Sequence, residues 1–281
     1  MNSFGIYHCD SVADVYYKVY NDMLEAPEIE VRSNKTKELV CPQILITNPR
    51  ARIAYHKVRG WNLAYALAES MLLFMKKNHV EYFSTLNSKM KDFAEDDVLY
   101  GAYGYRIAEY IPSIIKKLRD DESTRQAAMT ILKAEDANVK TKDLPCTMSL
   151  QLIIRENKLN MVTSMRSNDI IWGFQYDVFM FTTMQEIIAN ELDIKIGWYL
   201  HRPTSLHVYD YHYDLFEKVA NKFESFSTYY DYNYEEWMEL CRLYENTIEN
   251  GSMIETDYNE INIIRAKIKK NNLPGWVKKF V

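Results

Sequence analysis

The feature that most constrains this chain is a pair of β-prone runs separated by two polar residues. Cys146–Arg155 and Lys158–Met165 alternate apolar and polar side chains, and Glu156-Asn157 between them allows only a tight hairpin turn. Such a hairpin brings Cys146 and Arg166 to the same open end. Arg166-Ser-Asn-Asp169 follows, and Asp169, Gly173 and Asp177 recur at every fourth position before and into a long apolar helix, Gly173–Leu192. Buried polar groups cost free energy unless paired, so polar residues concentrated in so apolar a stretch point to a site.

The flanking sequence supplies the rest of one large core. Ser11 can cap a helix to Ala26, on which Val12, Val15, Tyr16, Val19, Tyr20 and Met23 form an apolar stripe that ends at Pro27. Glu30–Glu38 reads as a polar loop, Leu39–Thr47 as a strand and Asn48–Arg52 as a turn. Asn62–Lys77 reads as an apolar helix, Glu81–Phe93 as amphipathic and Tyr100–Gly104 as an aromatic-walled turn. A helix Tyr105–Leu118, a strand Ala127–Leu132 and an exposed loop Asp136–Asp143 precede the hairpin. Strands Asp193–Leu200 and Leu206–Tyr209 and helices Tyr211–Ser225, Glu235–Asn246 and Glu255–Lys270 follow it. Only eight glycines and seven prolines occur in 281 residues, with no repeat or linker, so the expectation is a single α+β domain spanning 1–281.

Charge and cysteine usage exclude several classes. A net charge of −5 and a pI near 5.8 do not suit a general nucleic-acid binder. No apolar run reaches membrane-spanning length, and the N-terminus lacks a basic segment followed by an apolar one, so a cytoplasmic protein is expected. Cys9, Cys41, Cys146 and Cys241 are too widely spaced for a zinc motif or a disulfide framework.

Several residues have two readings on local grounds. Cys146 is either a small core residue or, beside the Arg166 guanidinium, a thiolate nucleophile. Glu69 is either at the edge of its apolar helix or turned into a pocket. Arg50 and Arg52 are either surface charges or an anion site. His207 and His212 have no cysteine pair near them in sequence, which makes a zinc site weak.

Together, Leu144-Pro-Cys-Thr-Met-Ser-Leu-Gln151, Arg166-Ser-Asn-Asp169 with Gly173, and Ser205-Leu-His-Val-Tyr209 with His212 resemble the thymidylate synthase family. The resemblance runs from roughly Arg32 to His212, with the terminal Val281 the one further match. It implies a single α+β domain in which a mixed β-sheet packs against helices and uses one face to form a homodimer. The substrates implied are a pyrimidine deoxynucleoside monophosphate and 5,10-methylenetetrahydrofolate. Cys146 would add to C6 of the base, Glu69 would order water and move protons around it, and the catalytic Tyr103 would lie near the reacting sulfur. Arg32, Arg166 and Ser167 would grip phosphate, joined by Arg125 from across the dimer interface. Gln126 stands where the family has a second arginine, and Arg50 and Arg52 are candidates to complete that clamp. Gln151 would line the nucleotide pocket, His207 and Tyr209 would bind the sugar 3′-hydroxyl, and Asp169 and Gly173 would contact folate. Strand alternation puts Cys146 and Gln151 on opposite faces unless a bulge intervenes.

Asp177 is the informative departure. Uracil-specific members carry Asn there, whereas a carboxyl can accept from cytosine N4 and, when protonated, donate to N3. Asp177 and Thr147, after the cysteine, resemble the deoxycytidylate hydroxymethylase branch, implying conversion of dCMP to 5-hydroxymethyl-dCMP, with viral DNA modification in a host cytoplasm as one setting. C5 methylation of dCMP or dUMP, hydroxymethylation of CMP, and a non-catalytic nucleotide-binding dimer are the alternatives.

Overall fold

The protein is described here from a computed structural model covering residues 5–31, 34–253 and 256–269. A short strand β1 (Ile6–Cys9) leads into α1 (Val12–Glu25), whose first turn is capped by Ser11 Oγ accepting the Asp14 N–H at 3.1 Å. The chain then departs from the expected loop. Glu28–Val31 (β2) pairs antiparallel with β3 (Asn34–Val40), because charged residues are acceptable on a strand face left in water. The expected strand Leu39–Thr47 is broken at Cys41, whose φ of 52° lies in the left-handed region. Its N–H bonds Thr204 O at 2.8 Å, and β4 (Gln43–Ile46) continues in a different sheet.

After β5 (Ile53–Tyr55) come α2 (Leu63–Leu72), α3 (Glu81–Ser84), α4 (Tyr103–Ile107) and α5 (Ile111–Asp120). The next stretch is β6 (Ala128–Thr130), the hairpin β7 (Thr147–Arg155) and β8 (Lys158–Met165), β9 (Asn168–Asp169), α6 (Phe174–Glu191), β10 (Lys195–Pro203) and β11 (Ser205–Tyr209). The chain ends through α7 (Tyr213–Val219), β12 (Glu224–Phe226), α8 (Tyr234–Glu249) and α9 (Asn259–Ile268). Glu156 and Asn157 both have φ of 55°, the two-residue turn whose twist suits a tight hairpin.

The strands form a mixed six-stranded sheet, β1-β4-β10-β8-β7-β6, a four-stranded sheet, β2-β3-β11-β9, and the pair β12-β5. The parallel strands β8 and β10 run together out of the first sheet and feed the second as β9 and β11. Their register is kept across the crossing, with Met165 opposite Pro203 and then Asn168 opposite Leu206. Most of the predicted site lies at or near this crossing. Helix α6 is buried on nearly every side and packs on β8, β10 and α2 within one continuous hydrophobic cluster.

One buried polar group on α6 corrects a sequence reading. Glu186 accepts from Arg50 Nε and Arg52 Nη2, each at 2.5 Å, and Arg52 also donates to Thr183 Oγ1 at 2.8 Å. Arg52 and Glu186 are fully buried. These arginines neutralise a core carboxylate, where removing one partner would strand a charge, and Arg52, wholly enclosed, cannot complete a phosphate clamp.

Candidate active site

Arg166 braces the segment that carries Cys146. Its Nε donates to Pro145 O at 2.9 Å, its Nη2 to Leu144 O at 2.7 Å, and its backbone N–H to Cys146 O at 2.8 Å. Immediately afterwards β7 is bulged. Thr147 pairs with Met165 but Ser149 pairs with Ser164, so Met148 is an extra residue, and its carbonyl accepts from Ile131 and Leu132. The bulge resets the alternation and puts Cys146, Ser149 and Gln151 on one half-exposed face, with Thr147, Leu150 and Leu152 on the buried one. Gln151 Nε2 donates to Arg125 O at 3.0 Å, tying the exposed Arg125 to the sheet edge.

The Thr147 N–H reaches Tyr103 Oη at 3.3 Å, and the Tyr103 ring stacks on Phe181 with centroids 6.0 Å apart. Gly104 lets the start of α4 lie against the end of α2, since a Cβ there would lie 1.8 Å from Leu72 O. Tyr103, Glu69 and Asp177 line one cavity of about 160 Å³ with Asp143 and apolar walls that include Phe83 and Met180. Burial pushes Glu69 up to about 8, helped by the Asp177 charge and opposed by the Tyr65 hydroxyl. Burial pushes Asp177 up to about 7 against its hydrogen bond from Asn168. Asp143 rises to about 6 for the same reason, against the Gly101 N–H that it accepts at 2.8 Å. Three carboxyls are thus poised near neutrality around one cavity.

Asn168 connects Asp177 to the core. Its Nδ2 donates to Asp177 Oδ2 at 2.8 Å, and its Oδ1 meets His201 Nε2 at 2.8 Å. His201 Nδ1 in turn meets Tyr199 Oη at 2.9 Å. A Cβ on Gly173 would come within 2.9 Å of Asn168 Nδ2 and 3.5 Å of Asp177 Oδ2, so glycine there leaves room for this pair.

The second sheet holds the remaining predicted residues. Asp169 Oδ1 accepts the N–H groups of Ile171 at 2.7 Å and Trp172 at 3.2 Å, fixing the turn into α6. His207 lies opposite Asp169 in the β9–β11 register, and burial lowers its proton affinity against the Asp169 charge, which raises it. Tyr209 stacks on Tyr211 at 5.2 Å, Ser167 is half-buried between β8 and β9, and Trp172 Nε1 donates to His212 Nε2 at 2.8 Å. Arg32 and Val281 lie outside the described residues. Among the described residues no group of three His, Cys, Asp or Glu side chains could hold a metal.

The thymidylate synthase family model matches residues 29–268. The chain belongs to the thymidylate synthase family. It is 29% identical over 216 residues to the deoxyuridylate hydroxymethyltransferase of Bacillus phage SP01, covering 68% of this chain and 56% of that protein. It is 28% identical over 181 residues to the protein of the same name from Pseudomonas phage M6, covering 61% and 51%. The matches therefore span about half the length of these two relatives. Thymidylate synthase of Bacillus licheniformis is 23% identical over 193 residues, covering 64% and 68%. The fold is that of thermostable thymidylate synthase A from Bacillus subtilis, with TM-score 0.63, 20% identity, and 76% and 85% of the two chains covered.

Members of the family use methylenetetrahydrofolate as one-carbon donor, and the residues here suit such a group. Trp172 is 39% exposed beside Asp169, offering a flat aromatic plate next to a carboxylate, and the Gly173 cradle has no space for a side chain. Sequence reasoning missed Asp143, read as the end of an exposed loop, although its place just before Leu144-Pro-Cys146 in this thymidylate synthase family chain was a signal. Asp136 in that same loop is buried too, paired with Arg106 at 2.7 Å. His201 had no local signal beyond sharing a strand face with Tyr199.

Glu69 and Asp177, the two cavity carboxyls furthest above their ordinary values, set a pH dependence of stability. Folded Glu69 and Asp177 bind protons more tightly than the unfolded chain does. Their penalty is absent below about pH 4, grows as pH rises through neutrality and is complete above the folded values. Asp177→Asn is therefore expected to melt higher than the native protein at about pH 9, with the gap closing toward about pH 4. Thermal melts across pH check this, and a pH-independent gap would contradict it.

Proposed function

We propose that this chain transfers a one-carbon unit to C5 of dCMP and completes it with water, giving 5-hydroxymethyl-dCMP and tetrahydrofolate. The observation that carries the reading is Asp177, a half-buried carboxyl pushed to about 7 in the same cavity as Glu69 and Tyr103. Cys146 Sγ adds to C6 of the base, and the electron pair released into the ring makes C5 nucleophilic. Protonated Asp177 donates to N3 as charge develops there, which a cytosine accepts and a uracil, carrying its own N3–H, does not. Bound 5,10-methylenetetrahydrofolate supplies the methylene carbon that becomes attached to C5. Glu69 and Tyr103 would move protons near C5, and Arg166 and Ser167 would hold the phosphate. His207 and Tyr209 would hold the sugar, with Asp169 and Gly173 at the folate.

The active unit we infer is a homodimer in which the exposed Arg125 reaches the partner's phosphate site. The names of the phage relatives support a phage enzyme working in the host cytoplasm. They also favour a second reading, the same hydroxymethyl transfer on dUMP. Incubation with methylenetetrahydrofolate and dCMP, dUMP or CMP separately, read by product mass, decides among these. The expected result is a hydroxymethyl product chiefly from dCMP. Better turnover of dUMP, or a methyl product with dihydrofolate, would replace the proposal with the corresponding alternative.

A further inference from the structure

We propose that His201, acting through Asn168, is a positioning residue for base choice that fixes which Asp177 oxygen can present a proton to the base. The inference rests on the reading of Asp177 as the base-contacting group. His201 is fully buried on β10, and burial lowers it to about 3, so the ring is neutral and carries one N–H. Tyr199, two residues earlier on the same strand face, lies with its hydroxyl 2.9 Å from Nδ1. With that hydroxyl donating to Nδ1, the imidazole proton belongs on Nε2, from which it is donated to Asn168 Oδ1 at 2.8 Å. The Asn168 amide must then direct Nδ2 toward Asp177, and it donates to Oδ2 at 2.8 Å.

The consequence is asymmetric. Oδ2 of Asp177 is occupied as an acceptor, so Oδ1 is the oxygen that carries the carboxyl proton. A proton held on the base-facing oxygen matches the N3 acceptor of cytosine and opposes the N3–H of uracil. Without the His201 N–H, the amide can rotate and offer its own oxygen to Asp177. The carboxyl proton is then drawn to Oδ2, and Oδ1 becomes an acceptor suited to uracil. Tyr199, His201 and Asn168 therefore define a hydrogen-bond direction that starts in the core and ends at the base.

The test compares kcat/KM for dCMP and dUMP, with methylenetetrahydrofolate, in the native protein, His201→Phe and His201→Gln, alongside their melting temperatures. His201→Phe is expected to lower the dCMP/dUMP ratio by roughly tenfold or more, the size of one misdirected buried hydrogen bond. His201→Gln, which keeps an N–H for Asn168, is expected to restore most of the ratio. An unchanged ratio with both activities falling together, or one that glutamine does not restore, overturns the proposal. A native preference for dUMP would instead refute the Asp177 reading itself. Should His201→Phe not fold, Tyr199→Phe carries the test: a several-fold fall in the ratio supports the relay, and no change overturns it.

Discussion

Cys146→Ala is expected to reduce turnover of every pyrimidine nucleotide by about 10⁴-fold or more while leaving the melting temperature close to native. The sulfur sits on the half-exposed face of β7, so its loss opens no core cavity. Two of the other three thiols are shut away in the core. Cys9 is buried and pushed up to about 12, and Cys241 is buried on α8 and also held protonated. Arg166 would remain in place, because its bonds go to the carbonyls of Leu144 and Pro145 and not to the side chain at position 146. Folate-dependent release of tritium from C5-labelled dCMP and product mass measure the effect. Residual rates within about tenfold of native would remove Cys146 from the nucleophile's role.

Asp177→Asn is expected to lower the dCMP/dUMP preference by about 10²-fold or more, chiefly by loss of dCMP turnover. With Asn168 Nδ2 donating into this side chain, an amide at 177 keeps its oxygen on that bond and turns its NH₂ toward the base. The amide can donate to uracil O4 but cannot transfer a proton to cytosine N3 as charge develops there. That loss falls on the transition state for dCMP and spares dUMP. Steady-state kinetics on the two nucleotides check this. An unchanged ratio would mean that another residue reads the base, even if overall rates fall.

Much of the scaffold was legible because it depends on neighbours in sequence. The Glu156-Asn157 turn, the return strand to Met165, the Ser11 cap and the span of α6 all follow from local backbone preference and apolar spacing. The strand pair β2–β3 was not legible, since Glu28–Val31 is exposed throughout and has no alternating apolar face to announce it. The break at Cys41 depends on a carbonyl at Thr204, far along the chain. Arg52 was misread because the carboxylate it neutralises belongs to a helix that no local pattern places beside it.

By itself the sequence determined the chemistry on offer: a cysteine and an arginine brought to one hairpin end, and a carboxyl at 177 in the apolar helix that follows. Only the tertiary structure decided how these groups are presented. The Met148 bulge turns Cys146 and Gln151 to one face, the crossing of β8 and β10 sets Asn168 against His201, and burial brings Glu69 and Asp177 close to neutral pH. The physical reason is the same in each case. Side-chain direction, hydrogen-bond polarity and proton affinity are set by groups distant in sequence, and local pattern carries no information about their distance or desolvation.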